Sequence, residues 1–123
     1  MGRRPARTGN PVSYAPNRGD VVWVDFTPHA GHERAGRHPA VVLTPAAYSV
    51  ATGLALVVPL TTKAKGGTFE VPVIGARKAK GVALANELRT IDYAARNTER
   101  FDACPDSVLE RILDIAFALL KAE

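Results

Sequence analysis

The sequence has almost no cysteine and no long apolar run. Only one of its 123 residues is Cys, so the chain cannot form an internal disulfide, and the lone Cys104 is typical of a reducing cytoplasm. No apolar segment reaches the ~18 residues that a membrane-spanning helix needs, and no apolar region of a signal peptide follows the basic start. We therefore expect a cytoplasmic protein without a membrane anchor.

The sequence also lacks the common motifs of cofactor and metal sites. It has neither a phosphate-binding P-loop nor Gly-x-Gly-x-x-Gly after a strand. Its three histidines, at 29, 32 and 38, have no zinc-binding spacing to the single Cys, and its carboxylates are scattered. We expect no metal and no cofactor. Metal-free RNA cleavage stays possible, because the substrate's 2′-hydroxyl is its own nucleophile and the protein need supply only acid, base and phosphate donors.

The net charge of +4 is unevenly distributed along the chain. Residues 1–18 contain four Arg and no acid, residues 63–89 contain six basic and two acidic residues, and the chain from residue 90 onward is net acidic. A basic block of this kind is either a solvated face or a phosphate-binding stripe. The block consists of Lys63, Lys65, Arg77, Lys78 and Lys80.

Residues 1–18 are rich in Arg, Pro and Gly and show no periodicity, so we predict a flexible basic tail followed by one domain at 19–123. Alternating and β-branched segments then predict short strands, separated by Gly and Pro. We place them at 20–26, 39–44, 54–61 and 68–74, with one or two more in 82–91 and a helical turn or loop at 45–53. In the fourth segment, Phe69, Val71 and Val73 are expected to share one face.

The C-terminal segment changes to a helical period. From Ser107 onward, apolar residues recur every three or four positions, and Ser107 with Glu110 can form a capping box. Ile115 and Phe117 widen the apolar stripe, which indicates either a subunit contact or a deeply docked helix. The whole pattern predicts an α+β, mainly β fold: a small barrel of five to seven short strands with a C-terminal helix.

Four segments occur in an order that is similar to the MazF/PemK toxin family. They are GDVVWVDFTPHAGHERAGRHPAVVL, VPLTTKAKG, FEVPV and GVALANELRTI, and the similarity runs from about residue 19 to the terminal helix. The resemblance implies an SH3-like barrel of the CcdB/PemK type and a homodimer. It also implies a sequence-specific endoribonuclease that cleaves single-stranded mRNA, and an antitoxin partner that neutralises it.

The resemblance also implies roles for individual residues. The family's loop glutamate corresponds to Glu33, a candidate general base, and the hydroxyl that contacts the phosphate corresponds to Thr61. Asp20 and Trp23 also match, but we interpret them as strand framework and core. The expected RNA-binding residues are Thr62, Lys63, Lys65, Asn86, Glu87 and Arg89. Asn86 and Glu87 reverse the acid-then-amide order usual in the family, so no base preference is carried over.

One departure concerns the acid. The family normally has arginine immediately before the Pro of the second strand, where this chain has His38, with Arg37 one residue earlier. Neighbouring residues in a strand point to opposite faces, so Arg37 is not a simple replacement. Three readings stay open: His38 is the general acid, a kink lets Arg37 reach the site, or the site is inactive.

Two non-catalytic functions compete with the nuclease. A gyrase poison like CcdB shares the barrel, but that group depends on a tryptophan near the end of its terminal helix, and the only Trp here is Trp23. The other is an RNA- or partner-binding module that keeps the fold, which the His38 departure favours. A basic groove would attract an acidic, extended antitoxin segment by the electrostatics that attract RNA.

Overall fold

A computed structural model describes residues 14–26 and 36–123. Within these residues the chain forms seven strands and two helices. The strands are β1 (Asp20–Phe26), β2 (Gly36–Val42), β3 (Leu54–Thr61), β4 (Glu70–Pro72), β5 (Val82–Leu84), β6 (Arg89–Asp92) and β7 (Glu99–Ala103). The helices are α1 (Ala46–Thr52), which follows β2, and α2 (Asp106–Lys121) at the C-terminus.

The strands form one antiparallel sheet in the order β4-β5-β3-β2-β1-β7, with β6 paired to β3 beside this path. The prediction of an α+β, mainly β fold with a C-terminal helix is confirmed. Over the described residues, however, the strand pairings form an open path from β4 to β7 and not a closed barrel.

The alternation in β1 separates two hydrophobic cores. Val22, Val24 and Phe26 pack on one face with residues of β2, β3 and β6, as the period-two pattern predicts. Val21 faces the other side, where β2, β3, β4 and β5 pack against α2 through Val108 and Ile112. The sheet therefore has a buried apolar layer on both faces, which is why β3 reads as an almost continuous apolar run.

Three strand predictions need correction. β2 begins at Gly36 and not at Pro39, so Pro39 is its fourth residue. The β2–β3 ladder covers only Ala40 to Val42, so Pro39, which has no backbone N–H, does not have to donate a hydrogen bond to β3. β4 is three residues long, and Phe69 does not share the burial of Val71: it is 38% exposed. β7 was missed.

β7 was missed because contacts distant in the sequence stabilise its polar residues. Its half-polar sequence, Glu-Arg-Phe-Asp-Ala, pairs with β1 across a register shift. Asp102 is buried and accepts hydrogen bonds from the backbone N–H groups of Lys78 (2.6 Å) and Ala79 (2.7 Å). Burial alone would raise the pKa of the Asp102 carboxyl, but these backbone donors and others nearby lower it below its ordinary value.

Helix α2 begins at Asp106 with Pro105 as its N-cap residue and no side-chain capping bond. The predicted capping box is therefore wrong, because Ser107 is already inside the helix, where its side chain cannot cap it. One face of the helix is docked, because Val108, Ile112 and Ala116 are buried. Phe117 is 59% exposed and is not part of that docked face, so the subunit contact stays a prediction.

The residues just before β1 pack on the domain, although the sequence placed them in the tail. The Tyr14 hydroxyl donates to Asp20 (3.0 Å), the Ser49 hydroxyl donates to the Pro16 carbonyl (2.7 Å), and Arg18 donates to the Leu43 carbonyl (2.9 Å). The rest of the predicted tail, residues 1–13, lies outside the described residues.

Asp20 and Trp23 differ in how well they fit the framework interpretation. Asp20 also accepts bonds from the Asn17 backbone and from Arg100, so it ties the start of β1 to its surroundings. Trp23 is not in the core: it is 36% exposed and stacks on Phe101 with ring centroids 4.6 Å apart. Neither helix in the described part of the chain is long and apolar enough to cross a membrane.

Candidate active site

A cleft of about 420 Å³ lies where the end of β3, the β3–β4 loop and the turn after β5 meet. Its walls include five of the residues expected to contact RNA or phosphate: Thr61, Lys63, Lys65, Asn86 and Glu87. Four further residues complete the described walls: Gly67, Phe69, Glu70 and Leu84. The fold thus brings together, in one place, residues that are up to 26 positions apart in the sequence.

Glu70 organises the lysine-bearing loop of the cleft. Its carboxylate accepts the backbone N–H of Lys65 at 3.0 and 3.2 Å and that of Gly66 at 3.0 Å. Gly66 has a φ of +77°, a conformation that side chains with a Cβ disfavour. These charge-assisted bonds hold the backbone at Lys65 and Gly66, and the Lys63 N–H is held separately by the Thr61 hydroxyl, so the loop that carries both lysines is anchored beside the cleft.

Thr61 ends β3 at the edge of the cleft and is half-buried. Its hydroxyl oxygen accepts the backbone N–H of Lys63 at 3.1 Å, which leaves the hydroxyl hydrogen available for a phosphate oxygen. Gly81 packs directly on this backbone: a Cβ added there would lie 2.2 Å from the Thr61 carbonyl oxygen. The glycine thus lets the β4–β5 connection approach the residue that is expected to contact phosphate.

His38 lies in β2 opposite Val24, on the face of the sheet that carries Phe26. The imidazole ring tilts against Phe26, with ring centroids 6.1 Å apart, and the Arg89 guanidinium lies 4.9 Å above the same phenyl ring. His38 and Arg89 therefore meet at Phe26. The β2–β3 ladder ends at the pair Ala40–Pro59, so His38 and Thr61 each lie two residues beyond its last pair, at the same end of the sheet.

Arg37 points to the opposite face of β2 and is bound there by two acids. Its guanidinium donates to the Asp25 carboxylate at 2.9 Å and also to the Glu99 carboxylate. Asn97 donates to the second oxygen of Asp25 at 2.9 Å. Hydrogen bonds from Asn97 and then from Arg37 hold the pKa of Asp25 below its ordinary 3.8. β2 is extended through both Arg37 and His38, with no kink that brings Arg37 to the side of His38.

The other predicted residues lie apart from this cleft or outside the description. Thr62 is exposed beside Thr61. Lys78 and Lys80 belong to the Gly75–Gly81 connection and are not among the described cleft walls, so the basic block is divided in two. Glu33, the expected base, lies outside the described residues, as do His29 and His32.

Sequence analysis missed Phe69, Glu70 and Gly81 as parts of the site, and each had a weak local signal. Phe69 and Glu70 follow a Gly-rich basic loop directly, and Gly81 ends a basic connection just before a strand. In residues 14–26 and 36–123, no three His, Cys, Asp or Glu side chains form a group that could hold a metal ion.

The chain belongs to the family described as PemK-like, MazF-like toxins of type II toxin–antitoxin systems, which it matches over residues 17–118.

Individual relatives support this assignment. The Escherichia coli K12 protein named endoribonuclease toxin MazF is 45% identical over 96 residues, which cover 77% of this chain and 86% of the relative. Among solved structures, a crystal structure of MazF from Deinococcus radiodurans superposes with a TM-score of 0.82 at 42% identity, covering 88% of this chain and 98% of that one. A MazE–MazF crystal structure from the same organism gives 0.81 at 41% identity, covering 90% of this chain and 100% of that one.

Proposed function

We propose that this chain is the toxin of a toxin–antitoxin module, a homodimeric, metal-independent endoribonuclease that cleaves single-stranded mRNA at specific sequences in the cytoplasm. The observation that carries the proposal is the 45% identity to an endoribonuclease toxin over most of both chains. The cleft supports it, because lysines, a hydroxyl and an amide around one groove are suited to a phosphate backbone with exposed bases.

The proposed reaction uses the RNA's own 2′-hydroxyl. Glu33 takes the 2′-hydroxyl proton as the 2′-oxygen bonds to phosphorus, and His38 gives a proton to the 5′-oxygen as its bond to phosphorus breaks. The Thr61 hydroxyl and the two cleft lysines would stabilise the extra negative charge on the phosphorane. The downstream fragment then starts with a 5′-hydroxyl.

His38 suits the acid role better than Arg37. An imidazolium releases a proton near neutral pH, whereas a guanidinium does not. The geometry agrees with this choice, because Arg37 is bound by Asp25 and Glu99 on the other face of β2. His38 instead lies at the end of the sheet where Thr61 enters the cleft.

Incubation of the purified protein with mRNA in EDTA tests the activity. We expect fragments with 5′-hydroxyl ends at one recurring motif, and intact RNA when excess cognate antitoxin, bearing an acidic extended segment, is added. Glu33→Gln should abolish cleavage while the variant stays folded and dimeric. Intact RNA with the wild-type protein would contradict the proposal, and gyrase inhibition without cleavage would point to the CcdB-like function.

The pH profile of cleavage tests the acid. If His38 must be protonated, kcat/KM should fall as pH rises, because the imidazolium that donates the proton is lost. His38→Ala should lose about 100-fold or more of activity and this alkaline limb together. A wild-type rate that stays flat from about pH 6 to pH 9, with an active His38→Ala variant, rules out His38 as the acid.

A further inference from the structure

Phe69 is an exposed aromatic residue in the wall of the cleft. It is 38% exposed, whereas Val71, two residues later, is 1% exposed, and neither hydrophobic core includes Phe69 among its buried residues. A phenyl ring that is not used in the core and lines an open cleft beside two lysines is available to a ligand.

The backbone of Phe69 is fixed on both sides. Its carbonyl oxygen accepts the Ala85 N–H at 3.0 Å, which joins it to the residue before Asn86. The next residue, Glu70, holds the loop of Lys63 and Lys65 through its bonds to Lys65 and Gly66. The Phe69 ring and the Asn86 amide are thus attached to the pair of strands β4 and β5. The two cations lie on the β3–β4 loop that leads into this pair.

We propose that this cleft binds one unpaired nucleobase of the RNA, stacked on the Phe69 ring, with the adjoining phosphates against Lys63 and Lys65. The identity of the ligand as RNA rests on the proposed function. A base has the flat π-face that an exposed phenyl ring binds, and stacking of this kind is usual in the recognition of single strands. The cleft volume of about 420 Å³ falls in the range of pockets for molecules of this size.

The charges in the cleft fix where the phosphates of a nucleotide can lie. Lys63 and Lys65 attract phosphates, whereas Glu70 and Glu87 in the same walls repel any anion, so the phosphates belong on the lysine side. A nucleotide separates its charge from its base, so its phosphates can lie at the lysines while the base edge meets Asn86, which both donates and accepts.

A binding assay with an uncleavable strand tests the inference separately from catalysis. The probe is a single strand of about ten nucleotides with deoxyribose in place of ribose, which removes the 2′-hydroxyl and blocks cleavage. It contains the cleaved motif, or a random sequence if the protein cleaves no RNA, and carries fluorescent 2-aminopurine at each position in turn. Stacking on Phe69 should quench the fluorophore at one position.

Phe69→Leu keeps an apolar side chain and removes the aromatic face. We expect it to restore the fluorescence at that position and to weaken binding by about 5- to 100-fold, the usual effect of losing one stacking contact. Phe69→Trp should retain both the quenching and the affinity. Ile74→Ala, which truncates another exposed apolar residue outside this cleft, is the matched control and should bind as the wild type does.

An abasic nucleotide at the quenched position gives the decisive comparison. With the base removed, wild type and Phe69→Leu should bind the probe equally, because neither can then form the stacking contact. If Phe69→Leu binds the intact probe as tightly as wild type and leaves 2-aminopurine quenched, the inference is wrong, even where RNA is cleaved. If RNA is not cleaved but quenching depends on Phe69, the proposed nuclease function fails and the base-binding site stands.

Discussion

Arg37 and His38 show how much two adjacent residues can differ in their surroundings. Sequence alone left open which of them replaces the family's arginine, because His38 occupies its position and Arg37 keeps its side-chain type one residue earlier. In the fold, the strand alternation sends them to opposite faces: Arg37 meets Asp25 and Glu99, and His38 meets Phe26. The contacts of Arg37 join β2 to β1 and β7, and we predict that its role is structural.

Arg37→Ala should lower stability and leave cleavage nearly unchanged. Both ion pairs are partly exposed, with 34% of the Arg37 and 44% of the Asp25 side chain accessible, so solvent screening limits the loss to about 1 kcal/mol. The measurement is urea unfolding at several pH values, beside RNA cleavage. Arg111→Ala, at an exposed position on α2, is the matched control.

The pH dependence of this loss has a definite sign. The pKa of Asp25 is lower in the folded state than its ordinary 3.8, so its contribution is fully present above about pH 4 and disappears as pH falls through the folded-state pKa. The difference between wild type and Arg37→Ala should therefore be constant from pH 7 to about pH 5 and shrink in more acidic solution. A large loss of cleavage with unchanged stability would instead favour a catalytic Arg37.

At the scale of elements, the sequence predicts best where local pattern and burial agree. β1 follows a period of two and α2 a period of about 3.6, and β3 is an apolar run because both of its faces are buried. The pattern failed at β7, where Asp102 is buried among backbone donors of the β4–β5 connection. No local signal marks such a partner, 23 or 24 residues away.

Gly81 ends the β4–β5 connection and packs on the Thr61 backbone at the edge of the cleft. Substitution of Gly81 tests whether this contact positions Thr61. Gly81→Ala places a Cβ 2.2 Å from the Thr61 carbonyl oxygen at a φ of +94°, so both steric overlap and backbone strain oppose it. We expect a loss of more than about 2 kcal/mol in unfolding free energy and a raised KM for RNA, because the Thr61 backbone must move.

Gly53→Ala is the matched control for this prediction. Gly53 also has a positive φ, +76°, but nothing lies within 4 Å of its added Cβ. It should therefore cost only the backbone strain, about 1 kcal/mol, and leave KM unchanged. Equal effects of the two substitutions in unfolding and in KM would show that the contact between Gly81 and Thr61 does not position the cleft.

For the molecule as a whole, the site could be anticipated only through the family resemblance. Composition and charge suggested a basic stripe, but the fold divides that stripe: Lys63 and Lys65 line the cleft, while Lys78 supports Asp102 through its backbone. Which basic residues share a surface depends on β-strand pairing between distant segments, and a charge count along the chain does not contain that information.

A second groove, with mostly apolar walls, is our candidate for the interface of the proposed homodimer. It has a volume of about 340 Å³ and lies between the C-terminal half of α2 and the sheet. Its apolar walls include Leu43, Leu56, Leu88, Leu113, Ala116, Phe117 and Leu120. Leu120 is 69% exposed, so it does not belong to the hydrophobic core of the subunit. An exposed apolar surface of this kind is suited to the interface of the proposed homodimer.

Leu120→Glu should dissociate that homodimer without unfolding the subunit. A two-fold interface contains each residue twice, so the substitution removes two apolar contacts of about 1.5 to 3 kcal/mol each and weakens the dimer by about 100-fold or more. Sedimentation across a range of protein concentrations measures the shift. Val50→Glu, at a 73% exposed apolar residue of α1, should leave the dimer intact. Because Leu120 is exposed in the subunit, Leu120→Glu should not destabilise the fold, and at low concentration its thermal unfolding should match that of the dissociated wild type. If Leu120→Glu and Phe117→Glu both leave the dimer intact, the interface lies elsewhere.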